Sequence, residues 1–515
     1  MFRLIIITAL GAVLATIASP VPDPPSMENE WSRLPDSSEI SAFLKRIPER
    51  SPKARLMTLG ASAGGRPVEA LLVSARPAFL ETGARQPGML TVLVVGSQHG
   101  TEPAGCEALQ RIAVELTDGG LQHHLGTMNF VLVVNANPDG RDLHRRGNAS
   151  RVNLSTDFAA LSQPECRAMV ACLRRYRPDV LLDLHESAVL KKKSLGKEGY
   201  MTDFETQVEV GNHPSIDRRI RLLATEELLP RVISKVRVRG LRCRHYIGEI
   251  LTLDQPVSHG GLSLRNLRNY ASMRGTIAVL LETRLDPPGD WPTRRNLKAR
   301  VDKQMLGIEA FLESCSELRP RILHLSDESR GSPEPIPEVA LAPEYAANPS
   351  RPEIMLRLTD RASGNSSEHL FAYRPVITTG PYRVAPSVLY ITGHQEHFAR
   401  LLTLHDIPFS RTGSSAIVPC YRQQLVAIRK IVARNGLVSS SLQVREYPGE
   451  MMVPGGALRI DPAPSVAALA SLLLDLRSSS TVFRQAGFQD LIRPGSDSFI
   501  VRSRSPSSGN GKVAP

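Results

Sequence analysis

The sequence predicts an α/β fold: a mixed, largely parallel central sheet flanked by helices, followed by a smaller C-terminal domain that is also mixed α/β. Three observations carry this expectation. Residues 91–96, 130–135, 180–184 and 276–281 are short apolar runs nearly free of charge, and amphipathic stretches at 104–117 and 163–176 lie between them. Around 325–350 the composition turns to Ser, Pro and Glu, and strand-like and helical segments resume from 354 to 476. Continuous apolar runs of this length suit strands buried on both faces. Helical stretches alternating with them are the pattern of a sheet covered by helices.

Taken in order, residues 1–19 open with Met1-Phe2-Arg3, run apolar to Ile17 and end on the small residues Ala18 and Ser19. That is the charge, length and ending of a secretory signal peptide, and the run falls short of the ~20 residues a spanning helix needs. The protein is therefore expected to be exported, periplasmic or secreted, with no stable membrane span once the signal is removed. Residues 20–38 read as an N-terminal arm before a first helix around 41–46. The main domain is expected at 39–325, a linker at 326–350, an accessory domain at 351–501 and a disordered tail at 502–515.

Composition narrows the class. With 515 residues, 42% hydrophobic and 22% charged, the chain has material for a large core. Its formal net charge of +12 favours an anionic envelope polymer or membrane surface as neighbour, an arginine-biased genome being the plain alternative. No basic helix or aromatic-basic motif supports a nucleic-acid partner. The run Lys191-Lys192-Lys193 reads as a solvated loop at a cleft rim. Six cysteines are too few for a disulfide scaffold and lack the close pairs of a thiolate metal site. Cys166 and Cys172, six apart on a helix, would stand about 9 Å from one another, too far for a direct bond.

The chemistry gathers just after the apolar runs, where open α/β sheets place their ligands. After the first comes Ser97-Gln98-His99-Gly100-Thr101-Glu102, after the second Ala136-Asn137-Pro138-Asp139-Gly140, after the third His185-Glu186-Ser187, and after the fourth Glu282-Thr283-Arg284. Two histidines and a carboxylate, here His99, Glu102 and His185, form a zinc set that leaves one coordination position open, as a catalytic site requires. The spacing of His99 and Glu102 lets both reach one ion from a turn entering a helix. Glu282, at the end of an apolar strand, is the candidate general base, because desolvation there should raise its pKa towards neutrality.

At these residues the chain resembles the zinc carboxypeptidase family, whose motif is His-x-x-Glu followed by a distant His after a strand; the handling of a two-His, one-Glu catalytic zinc is the type case of that family. The likeness extends through Asn137-Pro138-Asp139-Gly140, Arg145-Arg146-Gly147-Asn148-Ala149, Asp183-Leu184-His185-Glu186, Asn269-Tyr270-Ala271 and Leu281-Glu282-Thr283-Arg284, in the family's order, over residues 50–318. The downstream region is similar to the extra C-terminal domain of some exported bacterial members. The resemblance implies one zinc ion per chain and a peptide or amide bond attacked by zinc-bound water. It also implies that Arg146, or its neighbour Arg145, stabilises the oxyanion. Tyr270 is matched to a tyrosine that closes over substrate, with packing as the alternative.

The sequence departs from the family at Val152-Asn153-Leu154-Ser155-Thr156-Asp157-Phe158. Where the family carries an Asn-Arg pair that clamps the substrate's C-terminal carboxylate, this chain has Ser155-Thr156, so the bidentate fork is missing. The Asp that orients a zinc histidine reads Asn153, a weaker acceptor. Two readings follow. Either Arg151, Arg265 or Arg268 takes over the carboxylate, or the substrate has no free C-terminus and the enzyme is an amidase, deacylase or esterase. A pseudoenzyme that keeps the cleft for binding is the alternative from another class. The expectation taken forward is a hydrolase and metallopeptidase of carboxypeptidase type, with an envelope peptide as one candidate substrate.

Overall fold

The computed structural model describes residues 20–188, 195–285, 297–331, 338–360, 362–385, 387–432, 438–461 and 463–504. The expected signal peptide, the lysine run at 191–193 and residues 505–515 of the expected tail lie outside these.

Nine strands organise the first part of the chain: β1 (Ala54–Ala61), β2 (Pro67–Val73), β3 (Leu90–Val95), β4 (Met128–Val133), β5 (Val180–Ala188), β6 (Tyr200–Thr202), β7 (Thr206–Val210), β8 (Cys243–His245) and β9 (Ile277–Leu285). All but β6 form one sheet in the order β1-β2-β4-β3-β5-β9-β7-β8. Strands β4, β3, β5 and β9 run parallel to one another, while β2 and β7 join the group antiparallel. The sheet is thus mixed with a parallel centre, and its four central strands are the four apolar runs of the sequence.

Side chains alternate across those strands, and both faces are buried. Val92, Val94, Phe130, Leu132, Leu182 and Val279 face the helices Ala104–Thr117, Leu229–Val238 and Leu297–Gly331. Leu93, Val95, Val131, Val133, Leu181 and Ala278 point the other way, into a second core with the helix Pro164–Tyr176. Period-two alternation with cover on both sides explains why the runs carry no polar face. A short helix, Pro25–Glu28, precedes the one expected to be first, and that one, Ser37–Arg50, is longer than expected because Asp36 and Glu39 form a capping box: Ser38 N and Glu39 N donate to Asp36, and Asp36 N donates to Glu39.

Two expected boundaries differ. The stretch read as a linker begins inside a helix that runs to Gly331, because apolar residues such as Ile322 and Leu325 continue its buried face. Arg502 and Ser503, expected in the tail, belong instead to the strand Ile500–Ser503, which pairs with Leu389–Ile391 and with Cys420 and Tyr421.

The C-terminal region is rich in sheet, with the helices Gln395–Leu404 and Pro464–Leu474. It shares a core with the first part rather than standing apart: Leu401, Leu402, Leu469 and Leu472 belong to the same buried cluster as Leu93 and Leu181. Strand β6 pairs with Glu353–Asp360. All six cysteines are buried and unbridged. Among the described residues no helix is long and apolar enough to cross a membrane.

Candidate metal centre and catalytic cleft

Beyond the last residue of β3 the chain turns sharply, with the buried Ser97 in the left-handed region at φ 59°. A non-glycine residue there costs about 1 kcal/mol, and the turn aims His99, only 2% exposed, back over the sheet edge. Close packing fixes the next residue. A Cβ on Gly100 would lie 1.9 Å from the Gly140 carbonyl carbon, so only glycine fits where this turn crosses the Asn137-Pro138-Asp139-Gly140 turn. Asn137 holds the crossing, accepting from Gly140 N at 2.8 Å and donating to Gln98 O at 3.0 Å.

Three side chains converge. His99 Nδ1 lies 2.9 Å from Glu102 Oε1, His185 Nδ1 lies 2.9 Å from Glu102 Oε2, and the two Nδ1 atoms are 3.1 Å apart. The far nitrogens are held separately. His99 Nε2 meets Asn153 Oδ1 at 2.9 Å and Ser155 Oγ at 2.8 Å, and His185 Nε2 lies 3.3 Å from Asp183 Oδ1. An acceptor at each Nε2 favours the tautomer that leaves Nδ1 with its lone pair. Two lone pairs and two carboxylate oxygens then face one another, an arrangement that repels itself unless a cation lies among them.

The electrostatics say the same. Burial opposes charge on His185, yet Asp183 and Glu102 outweigh it and hold its pKa well above the usual histidine range. Burial likewise opposes charge on Glu102, but the two histidines hold it well below the ordinary carboxylate range. The pocket therefore demands positive charge, which a divalent ion supplies better than a proton. The donor set fits zinc: two imidazole nitrogens and a carboxylate, all within 4.8 Å of one another.

Glu282 stands beside this triangle. It is the cross-strand partner of His185 on β5 and β9 and accepts a hydrogen bond from Ser187 Oγ at 2.9 Å. Burial raises its pKa to about 7, with help from the Glu102 charge and against the pull of His185. Both residues lie inside their strands rather than after them, since β5 continues to Ala188 and β9 to Leu285. Ser187, Phe204, Gln207, Tyr246 and Glu249 line the cleft next to Glu282.

Of the two candidate arginines, Arg146 contacts the centre, its Nη1 donating to Glu102 Oε1 at 2.7 Å with the side chain 56% exposed. Arg145 is exposed, and its backbone N donates to Gly140 O. Ser155 touches His99 as described. Thr156 donates to Asn153 O at 3.0 Å, and its carbonyl accepts from Arg265 Nε at 3.3 Å. Arg151 is exposed at φ 62°. Tyr270 does not reach the cleft: its ring is buried against Phe158 and its hydroxyl meets His405 Nδ1 at 3.1 Å. The expected substrate contact from Tyr270 is therefore replaced by packing against the C-terminal region.

Several supporting residues escaped the sequence reading. Arg300 forms a buried two-pronged pair with Glu186, at 2.8 and 2.9 Å, and Glu186 N in turn donates to Glu102 Oε2 at 3.2 Å. Gln304 Nε2 donates to His185 O and to Thr283 Oγ1, each at 2.8 Å. Both lie on a long helix whose sequence shows no motif; the four-residue spacing of two polar residues on an apolar face was the available signal. A second group, Glu209, His245 and His259, is satisfied without an ion. Glu209 accepts from His245 Nε2, Val210 N and Gly260 N, while His259 bonds Tyr246 O and Tyr373 Oη.

Residues 40–158 match the family model for zinc carboxypeptidases. The carboxypeptidase SOL1 of Arabidopsis thaliana is 29% identical over 170 residues, 30% of this chain and 33% of that protein. Carboxypeptidase E of Caenorhabditis elegans is 28% identical over 151 residues, 26% of this chain and 31% of that one. The chain thus spans about a third of the length of the curated relatives it matches. Among solved structures, a metallo-carboxypeptidase from Burkholderia cenocepacia aligns over 56% of this chain and 71% of its own at 17% identity and a TM-score of 0.43. The stretch similar to zinc carboxypeptidases contains His99, Glu102 and Arg146, and His185, outside it, completes the triangle of candidate metal ligands.

Proposed function

We propose that this protein is a zinc-dependent peptidase that hydrolyses a peptide bond, with Glu282 as general base and then acid. The observation that supports the reading most is the convergence of His99 Nδ1, His185 Nδ1 and both Glu102 oxygens, with Glu282 one strand away. A bound zinc ion would supply Lewis acidity, polarising the scissile carbonyl and making water nucleophilic near neutral pH.

The protein's own groups do the rest. Glu282, with its pKa near 7, is matched to take a proton from the attacking water and return it to the leaving amine. Arg146 keeps a permanent charge beside Glu102, where it can hydrogen-bond the carbonyl oxygen as negative charge develops. Asn153 and Asp183 orient the two histidines, and Arg300 holds the Glu186 segment on which His185 sits. Replacing the expected Asn-Arg clamp by Ser155-Thr156 favours a second reading, an amidase acting on substrates without a free C-terminal carboxylate.

The decisive test is turnover of a panel of N-blocked peptides by the zinc-loaded protein and by Glu282→Gln. Loss of turnover with zinc retained supports the assignment, whereas unchanged turnover removes Glu282 from the mechanism. We propose further that the protein acts outside the cytoplasm, on the signal-like character of residues 1–19; N-terminal sequencing of the mature protein, showing removal or retention of those residues, decides it.

A further inference from the structure

A cavity of about 600 Å³ opens at the edge of the main sheet opposite the metal centre. Its wall includes Arg177 and Thr276, which stand just before β5 and β9, whereas His185 and Glu282 lie late in those strands. At the usual rise of a strand, Thr276 and Glu282 are about 20 Å apart, so this space is no part of the catalytic cleft. Both parts of the chain build it. Leu173, from the helix Pro164–Tyr176, and Ile220 form one side, and Val466 and Ala468, from the helix Pro464–Leu474, form the other.

Four arginines, Arg174, Arg177, Arg274 and Arg330, line this cavity. Main-chain carbonyls hold three of them in place. Arg174 Nη1 donates to Thr403 O at 3.3 Å and Arg274 Nη1 to His405 O at 3.1 Å, both at the end of the helix Gln395–Leu404. Arg330 Nη2 donates to Arg177 O at 2.7 Å and to Pro178 O at 3.1 Å. A carbonyl fixes a guanidinium without cancelling its charge. The carboxylates fall short of four charges. Asp179, fully buried, is shared between Arg330 and Arg85. Asp406 lies 3.4 Å from Arg274 and is 64% exposed, and Asp217, the other carboxylate on the wall, is held by two nitrogens of Arg219. Among the described residues Arg174 and Arg177 make no ion pair. Burial, above all, lowers the Arg330 pKa, and the charges of Arg85 and Arg177 lower it further against the pull of Asp179.

Guanidiniums set in advance around one space, with more positive than negative charge on its wall, are complementary to an anion. The volume of about 600 Å³ is that of a small-molecule site rather than of a single inorganic ion. We propose that this cavity is a binding site, separate from the metal centre, for a small organic anion that carries phosphate or carboxylate groups. The four arginines take its charged groups, with the hydroxyls of Ser215 and Ser272 on the same wall, and the apolar side chains receive its body. Because one side of the site belongs to the C-terminal region, the bound anion ties that region to the strand-start edge of the main sheet.

The test is calorimetry on the zinc-loaded full chain at low ionic strength, with AMP, citrate and pyrophosphate as probes. AMP or citrate is expected to bind at one per chain, and Arg174→Gln together with Arg177→Gln should weaken it by on the order of 10- to 100-fold with zinc content unchanged. AMP as the tightest of the three assigns an organic phosphate, and citrate as the tightest assigns a polycarboxylate. Pyrophosphate as the tightest leaves the apolar wall unused and overturns the organic anion. No binding of any probe at millimolar concentration overturns the site itself. So does binding that survives both arginine substitutions and is lost in His185→Ala, which would put the anion on the metal. If the double variant fails to fold, Arg177→Gln alone decides, since that exposed side chain makes no ion pair: affinity should fall about 10-fold, and unchanged affinity overturns the proposal.

Discussion

His99 and His185, one on a turn after β3 and one inside β5, direct their Nδ1 atoms at each other across 3.1 Å, while Asn153 and Asp183 hold their opposite nitrogens. Because those outer acceptors set both tautomers, Asp183→Asn should weaken zinc binding about 10- to 100-fold without removing a ligand. His185→Ala should abolish it. Competition with a zinc-binding dye measures both, and equal affinity in Asp183→Asn and the unaltered protein would show that Asp183 does not orient its histidine.

The pH dependence follows from Glu282. A base must be ionised to accept a proton, so activity should rise with pH through the Glu282 pKa and be lost below it. Without an ion that value is about 7; a bound cation favours the carboxylate and draws the limb lower, so the acid limb should fall at or below about 7. Ser187 Oγ donates to Glu282 and lowers its pKa. Ser187→Ala should therefore move the acid limb of kcat/KM to higher pH, and a shift the other way would refute the assignment of that limb to Glu282.

The central strands were legible because each is buried on both faces, which leaves an unbroken apolar run such as Leu90–Val95. The convergence of His99, Glu102 and His185 was legible because these residues follow the apolar runs. What the sequence concealed were contacts between distant segments. Nothing local to Tyr270 reveals that His405, 135 residues away, takes its hydroxyl, and nothing local to Arg300 reveals that Glu186 waits 114 residues upstream. Nor could composition show that the C-terminal region shares a core with β3 and β5, because burial against a remote segment leaves the same apolar pattern as burial against a neighbour.

The Glu186–Arg300 pair yields a stability prediction. Both side chains are essentially inaccessible, so Arg300→Ala leaves an uncompensated buried carboxylate. That should cost about 3–5 kcal/mol, read as a lower urea midpoint. Since Glu186 N also donates to Glu102, zinc affinity should fall with it. The double substitution Arg300→Met with Glu186→Leu should recover much of the stability, because it removes both charges together.

Tyr270 separates the structural role from the catalytic one. Its hydroxyl sits in the core against His405, whose Nε2 in turn reaches Ala159 O at 3.0 Å. A tyrosine that closed over substrate would lose binding or turnover on conversion to phenylalanine. A tyrosine that only ties the C-terminal region to the core would lose stability instead. Tyr270→Phe removes one partner of a buried hydrogen bond and keeps the ring, so it should destabilise by about 1–3 kcal/mol with kcat and KM unchanged on every substrate the protein accepts. A raised KM with an unchanged melting temperature would instead bring Tyr270 into the cleft during turnover.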